Sequence, residues 1–265
     1  MHPIERLRWI ARADGESAAS LASEAAFTLG ELAEAEPAAV LTACRRLLER
    51  HPSCGPLYWT SARLLAAADP SVAAQQAASE LWNDETAEHV ARELAATFTP
   101  GTVLATAEPA ELVAEALRRR GRFSVRYVAE FSSLRLGVRA LASVADDVTG
   151  FDRDECEEAL EGAEVAVVEA LAAGPALVLL SPAAAALSRE AAASDVPVWL
   201  CVGAGRALPA GLAAAAARAS LGAGAAEVLA PDEFNVALGP DGPADPAVVV
   251  SRATCPPGTE LVGRS

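Results

Sequence analysis

The stretch from Val165 to Pro209 constrains the fold more than any other part of this 265-residue chain. Val165–Val168 and Ala176–Leu180 are apolar runs of strand length. Ser181-Pro182 then opens an alanine-rich segment to about Ala193, with a serine placed to cap a helix and a proline at its first position. Ser194-Asp195 breaks that segment. Val196–Val202 is a second β-branched run, ending in Gly203-Ala204-Gly205. Strand, helix, strand and glycine turn make a βαβ unit. Runs that are apolar at every position mark strands covered on both faces. The fold class is therefore α/β, with a doubly wound, mainly parallel, Rossmann-like sheet. In such sheets the loops after the strands open at one edge, where ligands bind.

The flanking sequence divides in two. Residues 1–97 carry helical spacing only. Ile4, Leu7 and Ala11 mark a first helix, and Leu21, Ala25, Leu29 and Leu32 a second. Pro37 opens a third through Val40, Cys44, Leu47 and Leu48. After the loop His51–Pro56, Leu57, Leu64 and Leu65 mark a fourth. Asp69-Pro70 starts a fifth that runs to Ala96. From residue 98 the pattern changes. Strands are expected at Thr102–Ala105, Phe123–Val128 and Ala226–Leu229. Helices are expected at Pro109–Arg120, closed by Gly121, and at Leu134–Val144, Phe151–Glu161 and Pro209–Leu221. Gly239 to Ser265, rich in proline and glycine, reads as a loose tail. The expected organisation is a helical domain over 1–97 and an α/β domain over 98–265.

Charge narrows the function. The formal net charge is −15, which disfavours nucleic acid and anionic membranes as partners. All 21 basic residues are arginine, so a lysine Schiff base and a P-loop lysine are both excluded. Cys44, Cys54, Cys156, Cys201 and Cys255 are scattered with no C-x-x-C spacing, as expected of reduced thiols in the cytoplasm. The N-terminus carries Glu5, Arg6 and Arg8 and no signal-type apolar core, and no apolar run is long enough to span a membrane.

With these motifs in order, the chain resembles the family that joins the alpha, beta and delta subunits of translation initiation factor 2B to two sugar-phosphate isomerases. Those act on methylthioribose-1-phosphate and ribose-1,5-bisphosphate. His51-Pro52-Ser53-Cys54-Gly55-Pro56-Leu57 stands where the family has Arg-Pro-Ser/Thr-x-x-x-Leu. Val103–Ala107 stands at the strand ending in Thr-His-Cys/Ser, and Tyr127–Ser132 at the strand ending in Thr-Glu-Ser/Thr-Arg-Pro. Val168-Glu169-Ala170-Leu171 stands at Val-Gly-Ala-Asp, and Val196–Leu200 matches the last strand. The resemblance implies the fold and a homodimer formed through the α/β domain. It also implies a loss of the family's chemistry. The isomerases use a cysteine and an aspartate where this chain has Ala107 and Leu171, and neither can transfer a proton.

The other motifs are weaker. Gly203-Ala204-Gly205-Arg206-Ala207-Leu208 lacks the third glycine of a dinucleotide loop. Glu85, Glu88 and His89 share a helix face but lack a further metal ligand nearby in sequence. The acidic run Asp152–Glu161 lacks a calcium-loop pattern, and Arg118-Arg119-Arg120 suits a helix C-terminus. No cofactor or metal is expected. The expected function is a non-catalytic protein that binds a small phosphorylated metabolite or a protein partner. The alternatives are an isomerase with a relocated acid/base pair at Glu130 and Glu169, and a structural subunit without ligand. The loops that open at the sheet edge bring together His51, Thr106, Glu108, Glu130, Ser132, Glu169, Ser181 and Arg206 as candidate ligand-binding residues. Ser181 offers a helix N-terminus and Arg206 a full charge for a phosphate.

Overall fold

The computed structural model describes residues 2–13, 15–120 and 122–262. Six helices come first: α1 (Pro3–Ile10), α2 (Ala18–Ala35), α3 (Val40–Arg50), α4 (Gly55–Ala66), α5 (Pro70–Trp82) and α6 (Thr86–Thr97). Ser17 caps α2 by accepting from the Ser20 N–H, and Asp69 caps α5 by accepting from the Ser71 and Val72 N–H groups. The expected fifth helix is thus two helices. Asp84 ends the run by accepting hydrogen bonds from the Thr86 backbone N–H (3.0 Å) and hydroxyl (2.6 Å). Its other oxygen accepts from the Ala204 N–H at 2.9 Å, so the break also ties this layer to the glycine turn at 203–205.

The second part alternates: β1 (Val103–Ala107), α7 (Glu111–Arg120), β2 (Ser124–Ala129), α8 (Phe131–Leu141), β3 (Asp147–Asp152), α9 (Cys156–Leu160) and β4 (Val165–Glu169). Then come β5 (Ala172–Gly174), β6 (Leu177–Leu180), α10 (Pro182–Ala193), β7 (Val198–Cys201), α11 (Ala210–Gly222) and β8 (Glu227–Leu229). The chain continues with β9 (Val236–Gly239), β10 (Gly242–Ala244) and α12 (Pro246–Ser251). The main sheet has the order β10-β9-β7-β4-β1-β2-β3 and is parallel except for the β9–β10 hairpin. Its faces follow the two-residue period of a strand. Ala105, Ala107, Val168 and Leu200 enter one core with α10, while Leu104, Tyr127, Val167 and Trp199 enter another with α6 and α7.

Three further expectations need correction. Ala176–Leu180 is not a strand of the parallel sheet. Its β6 pairs antiparallel with β5 and β8 in a separate three-stranded sheet, and β4 is the parallel neighbour of β7. The small sheet lies between two cores: Ala172 and Leu179 face the helical layer, and Ala173, Val178 and Leu180 face α10. Burial on both faces made its run uniformly apolar, the pattern of a parallel strand. Second, residues 147–152 form the edge strand β3, so the acidic helix shrinks to Cys156–Leu160. Third, the expected tail holds the rest of β9–β10 and α12, and its last described part returns to the helices. Trp59 Nε1 donates to Thr254 Oγ1 at 2.8 Å, and Arg45 donates to the Glu260 carbonyl at 2.7 Å. Gly121, expected to close α7, lies outside the described residues.

Candidate functional site

The order of strands reverses between β1 and β4. From β1 the chain steps through β2 to β3, and from β4 it steps the other way through β7 to β9. The strand ends diverge there, and a cleft of about 740 Å³ opens at that point. Its walls are the loop after α3, the loop after β1, one face of α8 and the turn at Leu171. The helical layer is seated on the turn by Gly55, whose N–H donates to the Leu171 carbonyl at 3.0 Å. A Cβ on Gly55 would stand 2.6 Å from that oxygen, so the approach requires glycine.

A buried charge cluster lies at the floor. Glu169, the last residue of β4, is fully buried, and Arg206 is 4% exposed. Glu169 Oε1 accepts from the Leu112 N–H at 2.7 Å and the Val113 N–H at 3.1 Å, in the first turn of α7. Its Oε2 lies 3.3 Å from Arg206 Nη1. Arg206 also donates to the Ala170 carbonyl at 2.6 Å and lies 3.6 Å from Glu111. The protein's own carboxylate therefore occupies the anion position that the α7 N-terminus offers. Burial raises the Glu169 pKa to about 7, against the Arg206 charge and with the help of Glu111. Burial also raises Glu111, opposed by Arg206.

Of the eight candidate residues, His51, Glu108, Ser181 and Arg206 line this cleft. His51 Nε2 donates to the Ile10 carbonyl at 3.0 Å. Glu108 accepts from the Glu130 N–H at 3.1 Å and from the Ser133 hydroxyl. Ser181 donates to the Glu108 carbonyl and caps α10 by accepting from the Ala184 N–H at 3.1 Å. Arg206, expected to meet a phosphate, is turned inward onto the cluster. Thr106 is buried and donates to the Val167 carbonyl at 2.7 Å. Glu130 pairs with Arg153 at 3.0 Å, apart from Glu169. Ser132 is exposed on α8, and its neighbour Ser133 reaches the cleft instead.

Two cleft residues escaped the sequence: Glu111 and Tyr127. Tyr127 sits at a core position of β2, where an aromatic reads as packing. Its ring lies over Gly137 of α8, where a Cβ would come within 2.3 Å of the phenol oxygen. Among the described residues its hydroxyl has no hydrogen-bond partner, although the residue is only 4% exposed. Only the α7 first-turn position of Glu111 was legible beforehand, as a favourable charge at a helix start. The nearby thiol of Cys54 is pushed up to about 12 by burial, which disfavours its thiolate form.

No family model matches the sequence, and no curated protein matches it. Solved structures do. The translation initiation factor eIF-2B of Pyrococcus horikoshii OT3 superposes with a TM-score of 0.72 at 16% identity, over 92% of this chain and 97% of that one. The tetrameric eIF2B-beta2-delta2 complex of Chaetomium thermophilum gives 0.68 at 13%, over 94% and 92%. The eIF2B beta structure from the same organism gives 0.61 at 14%, over 92% and 86%. At these identities the likeness concerns the fold, and the resemblance drawn from the motifs agrees with it there. The chain has the fold of the initiation factor 2B subunits, helical layer and parallel sheet together.

Proposed function

We propose that this chain is a non-catalytic binding protein of the initiation factor 2B type that holds a small hydroxylated, phosphorylated metabolite in the cleft at the β1–β4 switch point. One observation carries this. The cleft stays open although the strand-end carboxylates beside it are held by the protein's own donors: Glu169 by α7 and Arg206, and Glu108 by Ser133 and the Glu130 N–H. A ligand there meets the Tyr127 hydroxyl and Glu111, which suit sugar hydroxyls. Its phosphate belongs at the rim, where His51 stands, because Arg206 is engaged. The division at residues 97 and 98, with β1 starting at Val103 just beyond α6, belongs to the same proposal. So does the cytoplasm, which suits five free cysteines. Among the described residues no helix is long and apolar enough to cross a membrane.

The proposal includes a homodimer. Phe131 and Leu136 are 84% and 73% exposed on α8, beside the open edge strand β3. An apolar helix next to an unpaired edge is a surface that a second copy covers well. Calorimetry with ribose phosphates and nucleoside monophosphates tests the ligand. Binding should weaken about 3- to 10-fold in Tyr127→Phe, the worth of one hydrogen bond. Turnover of ribose-1,5-bisphosphate or methylthioribose-1-phosphate above background would refute the non-catalytic part. Sedimentation tests the dimer, which Leu136→Glu should split; a monomeric wild type refutes it.

A further inference from the structure

A second surface runs against the net charge of this acidic chain. Between α1 and α3 runs a groove of about 360 Å³ floored by Ile4, Leu7, Leu32 and Leu47. Its walls carry Arg8, Arg12, Arg46 and Arg50, all exposed. Among the described residues none of these four has a carboxylate partner. Other arginines of the same helices are engaged: Arg6 lies 3.3 Å from Glu24, and Arg45 donates to the Glu260 carbonyl. Among the described residues Glu49 is the one acidic group that lines the groove, so that lining is net positive while the chain carries −15. The groove is also preformed at one end, because the His51 Nε2 bond to the Ile10 carbonyl joins the ends of the two helices.

We propose that this groove docks an acidic amphipathic helix of a partner protein. The spacing is the reason for a helix. Arg8 and Arg12 stand four residues apart on one wall, and Arg46 and Arg50 four apart on the other. Arg46 and Arg50 repeat at ~6 Å along α3, while Arg8 stands in the last turn of α1 and Arg12 in the turn that follows it. Carboxylates at i and i+4 on a docked helix repeat at the same distance, flanking an apolar stripe laid on Leu7 and Leu47. A single small anion uses only one of the four charges.

The probe is a labelled peptide of about four turns, with leucines on one face and glutamates at i, i+4 along both flanks. Fluorescence anisotropy with the full chain should show saturable binding that weakens as salt rises. The double variant Arg8→Glu, Arg46→Glu should weaken it roughly tenfold or more, as should a peptide with glutamine for glutamate. Both positions are exposed, so circular dichroism should report an unchanged fold. The proposal fails if the peptide does not bind, or if either change leaves its affinity intact. It also fails if the wild-type chain self-associates in a way the double variant abolishes, which makes a second copy the occupant. Groove-dependent binding to phosphatidylserine vesicles without peptide binding assigns the surface to a membrane and overturns it equally.

Discussion

Two arginine–glutamate pairs stand on the same edge of the sheet at nearly equal distance, one exposed and one buried among further partners. Arg153 and Glu130 lie 3.0 Å apart with side chains 40% and 42% exposed. Arg206 and Glu169 lie 3.3 Å apart with side chains 4% and 0% exposed. The outer pair exchanges water for a partner at little net gain. The inner pair has no water to return to, so each member depends on the other and on the surrounding N–H and carbonyl groups. Ion-pair distance therefore says little about what an arginine is for at this site.

The contrast is tested most severely by Arg206→Ala. It leaves Glu169 buried without its cation and should cost about 3–5 kcal/mol in chemical denaturation. An effect below 1 kcal/mol, like that expected of Arg153→Ala, erases the distinction. The next effect is on pH dependence. The folded pKa of Glu169 is about 7, against 4.5 for the ordinary carboxyl. The folded state thus holds this proton more tightly than the unfolded chain, and stability falls as pH rises from about 4.5 to 7. Below that window the contribution is fully present, and above it fully lost. Glu169→Gln cannot ionise, and its stability should be flatter by about 2–4 kcal/mol across that range. An unchanged slope places the titration elsewhere.

Gly137→Ala probes the wall of the cleft. The new methyl meets the Tyr127 ring and should cost about 1–3 kcal/mol, with a change in tyrosine fluorescence. A neutral result means that α8 can move away from β2. The smallest effect belongs to the outer pair: Glu130→Gln should shift stability by less than about 1 kcal/mol, and less still at high salt.

The cleft's membership was half legible. His51, Glu108, Ser181 and Arg206 follow elements whose ends the residue pattern located, and a parallel sheet brings such ends to one edge. Ser132 missed because α8 begins at Phe131, which turns that serine outward and Ser133 inward. Tyr127 and Glu111 gave no signal of a cleft, since one looks like core and the other like a solvated helix start. The Arg206–Glu169 contact had no local signal, because the two residues are 37 apart in the chain.

Residue order alone dictated most helices of the first part and the parallel sheet of the second. Periodicity, capping and side-chain chemistry are local and survive without a partner. Folding decided the rest. It moved β6 into its own sheet, set Arg206 against the buried Glu169, and left four arginines along a groove. These outcomes depend on which surfaces exclude water together, and that is a property of segments distant in the chain.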